Sequence, residues 1–335
     1  MKKVLYSTLF TLVFMMHNVC AFSFDNKPAE NATEDQEAQK WVYFEGNFVL
    51  GRLNANVEAV SIQTTNGNVQ KVETMSLRHT YEPGFKVGFG VFLSKSVELH
   101  ASWLCLQNKN LLWVSANGRT LSNPTLKTFG LTSITNGYIA THLHDRTQVI
   151  DTLIKSRRFF SYNNVSCLPV IGLRVMLMDR NAKQVGDNQD ILRTVVYISD
   201  VNVRLIGLVA GVDLNYKISS YFNFFGSAYT GALTGRYKQW IFFNQLFNGT
   251  TEILNTATHK QSEDFREFFD ATFGFSFNFN IGKTVNVLIR FGAYLLYFDA
   301  THFGQILTNG FNTTDQKTAY GNTFQALTAG LRLTF

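Results

Sequence analysis

The chain has 335 residues, of which only 16% are charged, and its formal net charge is +6. Soluble domains usually carry about 25% charged residues. Phe and Tyr are frequent here, with 31 and 13 copies, and a membrane barrel can direct such rings at lipid, whereas a soluble protein must bury them. The positive charge is weak and dispersed, which argues against nucleic-acid binding.

The N-terminus has the form of an export signal. A short basic start precedes an apolar stretch from Val4 to Met16, and Val19-Cys20-Ala21 provides a small-residue cleavage site. We therefore predict a secretory signal peptide over residues 1–21. Residues 22–40 are acidic and lack periodicity, and we expect a periplasmic leader there. The folded region is predicted over residues 41–335.

Apolar residues at every second position define the predicted strands. The alternation is clearest in the hairpin that turns at Ile281-Gly282-Lys283. In chain order, we predict strands at Trp41–Arg52, Gly84–Leu93, Val97–Leu106, Arg146–Phe160, Val165–Met178, Val203–Tyr216, Ser220–Leu233, Phe269–Asn280, Val285–Tyr297 and Thr323–Phe335.

Ten such strands predict an all-β fold, a transmembrane antiparallel up-and-down β-barrel. Short turns alternate with long polar links, which matches the short periplasmic turns and long extracellular loops of outer-membrane barrels. The predicted links are residues 53–83, 107–145, 179–202, 234–266 and 299–322. Strands at Thr125–Ile134 and Lys238–Leu246 would raise the number, so a barrel of 12 to 16 strands is the alternative.

The last strand ends on an aromatic residue, and its alternation places Leu331, Leu333 and Phe335 on one face. A terminal Phe on such a strand resembles the C-terminal signal of bacterial outer-membrane barrels. We therefore predict that these three residues form an assembly signal. An edge strand of a soluble β-protein is the alternative.

If Phe and Val face lipid, the residues between them face the lumen. The predicted pore-lining residues are Glu45, Lys86, Glu98, His100, Asp151, Arg157, Arg174, Asp213, Asp270, Arg290 and Arg332. Their mixed charges fit either an open hydrophilic pore or a closed lumen plugged by salt bridges. The closed case is a serious alternative, because barrels of about eight strands are filled by side chains and channels appear at about 16.

The chain shows no pattern that predicts a catalytic residue, a metal site or a cofactor. His142-Leu143-His144-Asp145 lacks a third metal ligand, and a solvated loop explains it better. Cys105 and Cys167 lie in separate predicted strands, and we expect both to be unpaired.

Several segments resemble, in order, the Legionella/chlamydia-type major outer membrane protein family. They are Pro83–Gly90 with Trp103, Asp151 with Arg157, Pro169–Arg174, Gly207–Gly211, Phe224–Leu233, and Phe269–Gly274 through Phe335. The similarity is collinear over residues 41–335. It implies a pore-forming, porin-like outer-membrane protein that in some members is a surface antigen or adhesin. The family's first strand is often richer in Trp, and the many cysteines of the chlamydial proteins are absent.

The sequence thus predicts a multi-pass porin-like channel of the bacterial outer membrane for passive diffusion of small hydrophilic solutes and ions. A closed barrel that acts as an adhesin or antigen through its loops is the main alternative. A rim-site hydrolase and a soluble periplasmic β-protein are weaker ones. The expected partners are outer-membrane lipid and lipopolysaccharide, the export and barrel-assembly machinery, further copies of the chain, and a host surface ligand.

Overall fold

The computed structural model describes residues 42–54, 58–66, 69–76, 80–94, 96–123, 126, 131–156, 160–162, 164–247, 256–282, 285–299 and 321–335. The predicted signal peptide, the leader and Arg157 lie outside this part of the chain. No helix of the described residues is long and apolar enough to cross a membrane.

The described residues form fourteen strands. They are β1 (Val42–Asn54), β2 (Glu58–Asn66), β3 (Val69–Ser76), β4 (Glu82–Phe92), β5 (Val97–Ser115), β6 (Thr120–Ser122), β7 (Gly137–Ser156), β8 (Phe160–Tyr162), β9 (Val165–Asn188), β10 (Arg193–Lys217), β11 (Phe222–Phe247), β12 (Thr256–Ile281), β13 (Val285–Asp299) and β14 (Gly321–Thr334).

Ten of these strands close into an antiparallel barrel in the order β1-β4-β5-β7-β9-β10-β11-β12-β13-β14, and β14 pairs back onto β1. The predicted ten-stranded barrel is confirmed. Strand β8 extends the edge of β9, while β2, β3 and β6 form a separate small sheet. Closure pairs the backbone groups of the first and last strands with each other, which is the condition for a β-structure to span lipid.

The C-terminal strand joins the two ends of the chain. Leu331 pairs with Gly46 in register, and the N–H of Phe335 donates to the carbonyl of Val42 over 3.0 Å. Leu331 and Phe335 are exposed on the outer surface. Their outward position agrees with the predicted alternation, while their role as an assembly signal stays a prediction.

Several strands are much longer than predicted. The link expected at residues 179–202 is almost entirely strand, since β9 runs to Asn188 and β10 begins at Arg193. The segment Lys238–Leu246 belongs to β11 and is not an additional strand. The prediction of a long extracellular loop at residues 179–202 is therefore wrong.

The barrel has two halves along its axis. The proximal half runs from the chain termini and the short turns to the level of Arg204 on β10, and the distal half lies beyond it. Arg204 lies 12 positions before Tyr216, which corresponds to about 40 Å along a strand. At a strand tilt of about 40° this gives a height of about 30 Å, close to the ~25 Å apolar band of outer-membrane barrels.

The outer surface of the proximal half is apolar. Its exposed side chains include Phe44, Phe48, Phe85, Phe89, Ile154, Ile171, Leu173, Ile206, Leu208, Phe273, Phe275, Phe277, Phe291 and Leu331. Because a closed barrel with an apolar outer band is the architecture of outer-membrane proteins, the proximal half is the membrane-spanning part.

In the distal half the polarity of the two strand faces is inverted: the inward face is apolar and the outward face is polar. On β10, Val203 and Leu205 point inward and are buried, whereas Asn202 and Arg204 point outward. Leu121 and Ile134 of the β5–β7 connection and Ile62 of β2 are also buried in this core. The distal half therefore has the apolar interior and polar exterior of a water-soluble β-barrel. This inverted polarity explains why the sequence pattern of residues 179–202 was interpreted as a loop.

Candidate functional site in the barrel interior

The barrel interior holds the predicted inward-facing residues. All of them except Arg157 are described, and they lie on the inner face of the proximal half. Glu45, Lys86, Glu98, His100, Asp213, Asp270, Arg290 and Arg332 line one cavity, and Asp151 and Arg174 meet Asp270 at its distal end. The orientation follows from the alternation, while the role of these residues as a pore lining stays a prediction.

Arg174 crosses the interior at mid-height. Its Nε donates to Oδ1 of Asp151 over 2.7 Å and its Nη2 donates to Oδ2 of Asp151 over 2.8 Å. The same Nη2 donates to Oδ2 of Asp270 over 2.7 Å. Strands β10 and β11 lie between β9, which carries Arg174, and β12, which carries Asp270. The guanidinium therefore ties two non-adjacent strands together across the interior.

Aromatic rings enclose this network. The Arg174 guanidinium lies 4.3 Å from the centre of the Phe268 ring, and the Tyr294 hydroxyl donates to Asp270 over 3.1 Å. Arg174 is only 1% exposed. Two carboxylates attract one buried guanidinium strongly. This network of Arg174, Asp151 and Asp270 is called the plug below.

Below the plug, a cavity of about 390 Å³ lies at the periplasmic end. Ion pairs join strands across it. Lys155 contacts Asp213 at 2.8 Å, Arg290 contacts Glu45 at 3.7 Å, and Arg332 contacts Glu98 at 3.4 Å. The cavity has a polar, charged wall, as the sequence predicted.

Tyr43 is fully buried on the β1 side of this cavity, against residues of its wall. Its hydroxyl donates to Glu98 and lies 2.7 Å from Nδ1 of His100. The guanidinium of Arg332 stacks on its ring, 3.3 Å from the centre. A Cβ atom at Gly90 would overlap the Tyr43 ring, so the missing side chain at this inward glycine makes room for the ring and leaves no open channel.

Above the plug the interior is packed. Arg180 and Asp145 form a buried ion pair, with Nε to Oδ1 at 2.5 Å. The Phe324 ring occupies the space beside Gly51, where a Cβ atom would overlap it. The buried apolar side chains at and above this level include Leu106, Leu143, Met176, Val203, Leu205, Leu233, Leu296, Phe298 and Phe324. Within the described part of the chain, side chains thus occlude the lumen above the periplasmic cavity.

Four interior residues were missed by the sequence reasoning: Tyr43, Lys155, Tyr229 and Tyr294. Tyr229 donates to Asp213, and Lys155 pairs with the same carboxylate. Each lies at an inward position of its strand, so the alternation could have identified it. The search for charged pore residues passed over the tyrosines, and strand phase alone does not show that two side chains meet.

The remaining chemistry-bearing groups singled out in the sequence lie on β5, β7 and β9. Asp145 points inward and pairs with Arg180. Its neighbours His142 and His144 lie on strand β7, so the predicted loop at this segment is wrong. Among the residues that the structure describes, no group of three or more His, Cys, Asp or Glu could hold a metal ion. Cys105 and Cys167 are free, as expected. The prediction that the chain is not an enzyme remains a prediction.

The fold and the apolar belt define an outer-membrane β-barrel. Comparisons with known proteins find similar solved structures. No protein-family model matches the chain, and no curated protein matches it. It is similar to the outer membrane protease OmpT from Escherichia coli, at 10% identity over 92% of this chain and 99% of that chain, with a TM-score of 0.44.

Two structures from Pseudomonas aeruginosa are also similar. The outer membrane protein OprG is 6% identical over 90% of this chain and 98% of that chain, with a TM-score of 0.29. A FadL homologue is 8% identical over 89% of this chain and 90% of that chain, with a TM-score of 0.26. The resemblance to the major outer membrane protein family stays a prediction.

Proposed function

We propose that this protein is a closed outer-membrane barrel that acts at the cell surface by presenting its distal half to external ligands. The observation that carries the proposal is the occluded interior. The Arg174 plug lies at mid-height, and the apolar core fills the barrel beyond it. The sequence favoured an open porin and kept this closed form as its alternative.

The energy needed to open the barrel supports the closed form. Exposing one buried Leu, Val or Phe side chain costs about 1.5–3 kcal/mol, so clearing ten of them from the lumen would cost about 15–30 kcal/mol. Whole domains are stable by only about 5–15 kcal/mol. A solute pathway through the distal core would therefore cost more than the fold can supply.

The distal half also carries an exposed apolar surface above the membrane belt. On β5, Leu111 is 71% exposed and Trp113 is 58% exposed. The Trp113 ring stacks on Tyr138 of β7, with 4.2 Å between centres and 12° between planes. Flat, rigid aromatic surface of this kind contributes strongly to recognition. We assign external ligand contact to this patch of Leu111, Trp113 and Tyr138.

Two measurements test the proposal. The first is conductance of the refolded chain in a planar bilayer, with heat-modifiable mobility on gels to show that the barrel is folded. The second compares how bacteria displaying the wild type, Leu111→Ser/Trp113→Ser, or the control Gln107→Ser attach to host cells. A silent barrel whose attachment falls about tenfold only in the double variant supports the proposal, whereas stepwise openings in the wild type would overturn it.

A gated channel is the second candidate, and the charged periplasmic cavity favours it. In that case both the Arg174 network and the apolar core above it would have to open in the conducting state. Conductance steps that become more frequent in Arg174→Gln/Leu233→Ala, but not in the cavity-wall control Arg290→Gln, would favour this candidate.

A further inference from the structure

We propose that the outer surface of the barrel binds the phosphate groups of an outer-leaflet glycolipid at a cationic girdle. The girdle consists of Arg146 on β7, Arg204 on β10, and Arg236 and Lys238 on β11. All four side chains are exposed and point outward. On their strands, Arg146, Arg204 and Arg236 are the first charged outward side chains above the apolar belt, about 30 Å from the periplasmic end, where the headgroups of the outer leaflet lie.

The strongest evidence for the site is a pair of like charges. Arg204 and Arg236 are direct cross-strand partners in the β10–β11 register. Like charges directly opposite each other on a sheet face destabilise it. Lys238 lies diagonally across from Arg204, because it pairs with Asn202, and it adds a third positive charge. An anion placed between these groups would remove the repulsion.

The neighbouring acids do not fully neutralise this cluster. Asp179 accepts a hydrogen bond from the amide of Asn202, and Asp200 accepts one from the amide of Asn181. Glu263 lies opposite Arg236 in register, but no ion pair joins them within the described residues. Both arginines therefore keep donors available, and Arg fits phosphate because its planar fork donates two parallel hydrogen bonds.

A groove beside the cluster provides space for the headgroup. It has a volume of about 420 Å³ and is lined by His144, Arg146, Asp179, Lys238 and Trp240, among others. Trp240 lies at its rim, and Trp is enriched at the membrane–water interface because its ring is apolar and its N–H is polar. Apolar Ile206 and Leu208 lie directly below on β10 and would contact the acyl chains of the same lipid.

The arginine pair, Trp240 and the apolar belt together fit a phosphorylated lipid as the ligand. Free phosphate would use the arginine pair but neither the Trp240 rim nor the apolar belt. A protein ligand would have no need for a site at the lipid boundary. The inference is independent of whether the barrel is closed or conducting.

The test uses the mature chain refolded in phosphatidylcholine vesicles, with or without about 10 mol% bisphosphorylated lipid A. Each Arg–phosphate contact is expected to change the affinity about tenfold. Parallel samples contain dephosphorylated lipid A, or inorganic phosphate alone. The readouts are the temperature at which heat-modifiable mobility is lost and the lipid A retained by the purified barrel. The variant is Arg204→Gln/Arg236→Gln. The charge-matched control is Lys183→Gln/Lys217→Gln, two exposed cations outside the girdle.

We expect lipid A to raise the unfolding temperature of the wild type and of the control, and dephosphorylated lipid A to have no such effect. The Arg204→Gln/Arg236→Gln variant should retain lipid A at least tenfold less well. Without lipid A it should be at least as stable as the wild type, because the repulsion between the two arginines is gone. Equal retention by both variants would overturn the proposal. Stabilisation by inorganic phosphate alone, or equal binding of the dephosphorylated lipid, would also overturn it.

Discussion

The proximal and distal halves of the barrel share the same strands but have opposite polarity. On β10, Leu208 faces lipid and Asp213 faces the interior, whereas a few residues earlier Leu205 faces the interior and Arg204 faces water. The backbone alternation continues without interruption. Only the surrounding solvent changes, from hydrocarbon to water, and this change decides which face must be apolar.

The two halves must therefore be stabilised differently. The distal half buries apolar side chains away from water, as a soluble domain does. The outer face of the proximal half is removed from water by lipid and not by other side chains, so it gains no packing within the protein. Its interior is held by ion pairs and hydrogen bonds around Arg174 and Tyr43. Four substitutions separate these contributions, beginning with the largest expected effect.

Replacing Arg174 with Ala should destabilise the barrel by about 3–5 kcal/mol, because Asp151 and Asp270 would be left buried without their cation. The measurement is urea unfolding in lipid vesicles, followed by Trp fluorescence. Lys183→Ala, which removes an exposed cation from the same strand, should change stability by less than about 0.5 kcal/mol. Equal losses in both variants would show that the plug makes no special contribution.

Leu233→Ala should lower the free energy of unfolding by about 2–5 kcal/mol, since this fully buried side chain leaves a cavity in the distal core. The matched change Leu208→Ala lies on the lipid face, where Leu208 is 67% exposed and acyl chains can fill the space. Its loss should be smaller, about 1–2 kcal/mol, because only the transfer of the removed atoms from water into lipid is lost and no cavity forms. Similar values for the two variants would argue against a packed distal interior.

Introducing an outward arginine should locate the membrane boundary. Leu208 and Leu111 are similarly exposed, at 67% and 71%, but they lie below and above the girdle. Leu208→Arg should cost about 1–3 kcal/mol, because Leu208 lies inside the apolar band between its midplane and its upper edge. Leu111→Arg should cost less than about 0.5 kcal/mol in water. The comparison is by unfolding in vesicles, and a large loss at Leu111 would place lipid around the distal half.

Tyr43→Phe should lower the free energy of unfolding by about 1–3 kcal/mol, because Glu98 loses a buried donor while the ring still fills the space beside Gly90. Tyr221→Phe, at an exposed position of the β10–β11 turn, is the control and should leave stability within about 0.5 kcal/mol. Equal unfolding midpoints for the two variants would contradict the hydrogen bond from Tyr43 to Glu98.

The period-2 alternation by itself determined the ten-stranded barrel and the inward orientation of the predicted interior residues that the structure describes, from Glu45 to Arg332. This succeeded because every second side chain of a strand points to the same face, whatever the rest of the fold does. The same signal failed for residues 179–202, where the polar face turned outward and resembled a loop. A strand pattern specifies two faces, but it does not state which of them meets solvent.

Which interior side chains meet one another was decided only by the tertiary structure. Arg174 and Asp270 are 96 positions apart in the chain, and no local pattern indicates that their side chains meet across the barrel. The same holds for Tyr43, which fills the space left by Gly90 on the neighbouring strand. Alternation gives the direction of each side chain, whereas occlusion depends on the distances between side chains of different strands, and barrel closure sets those distances.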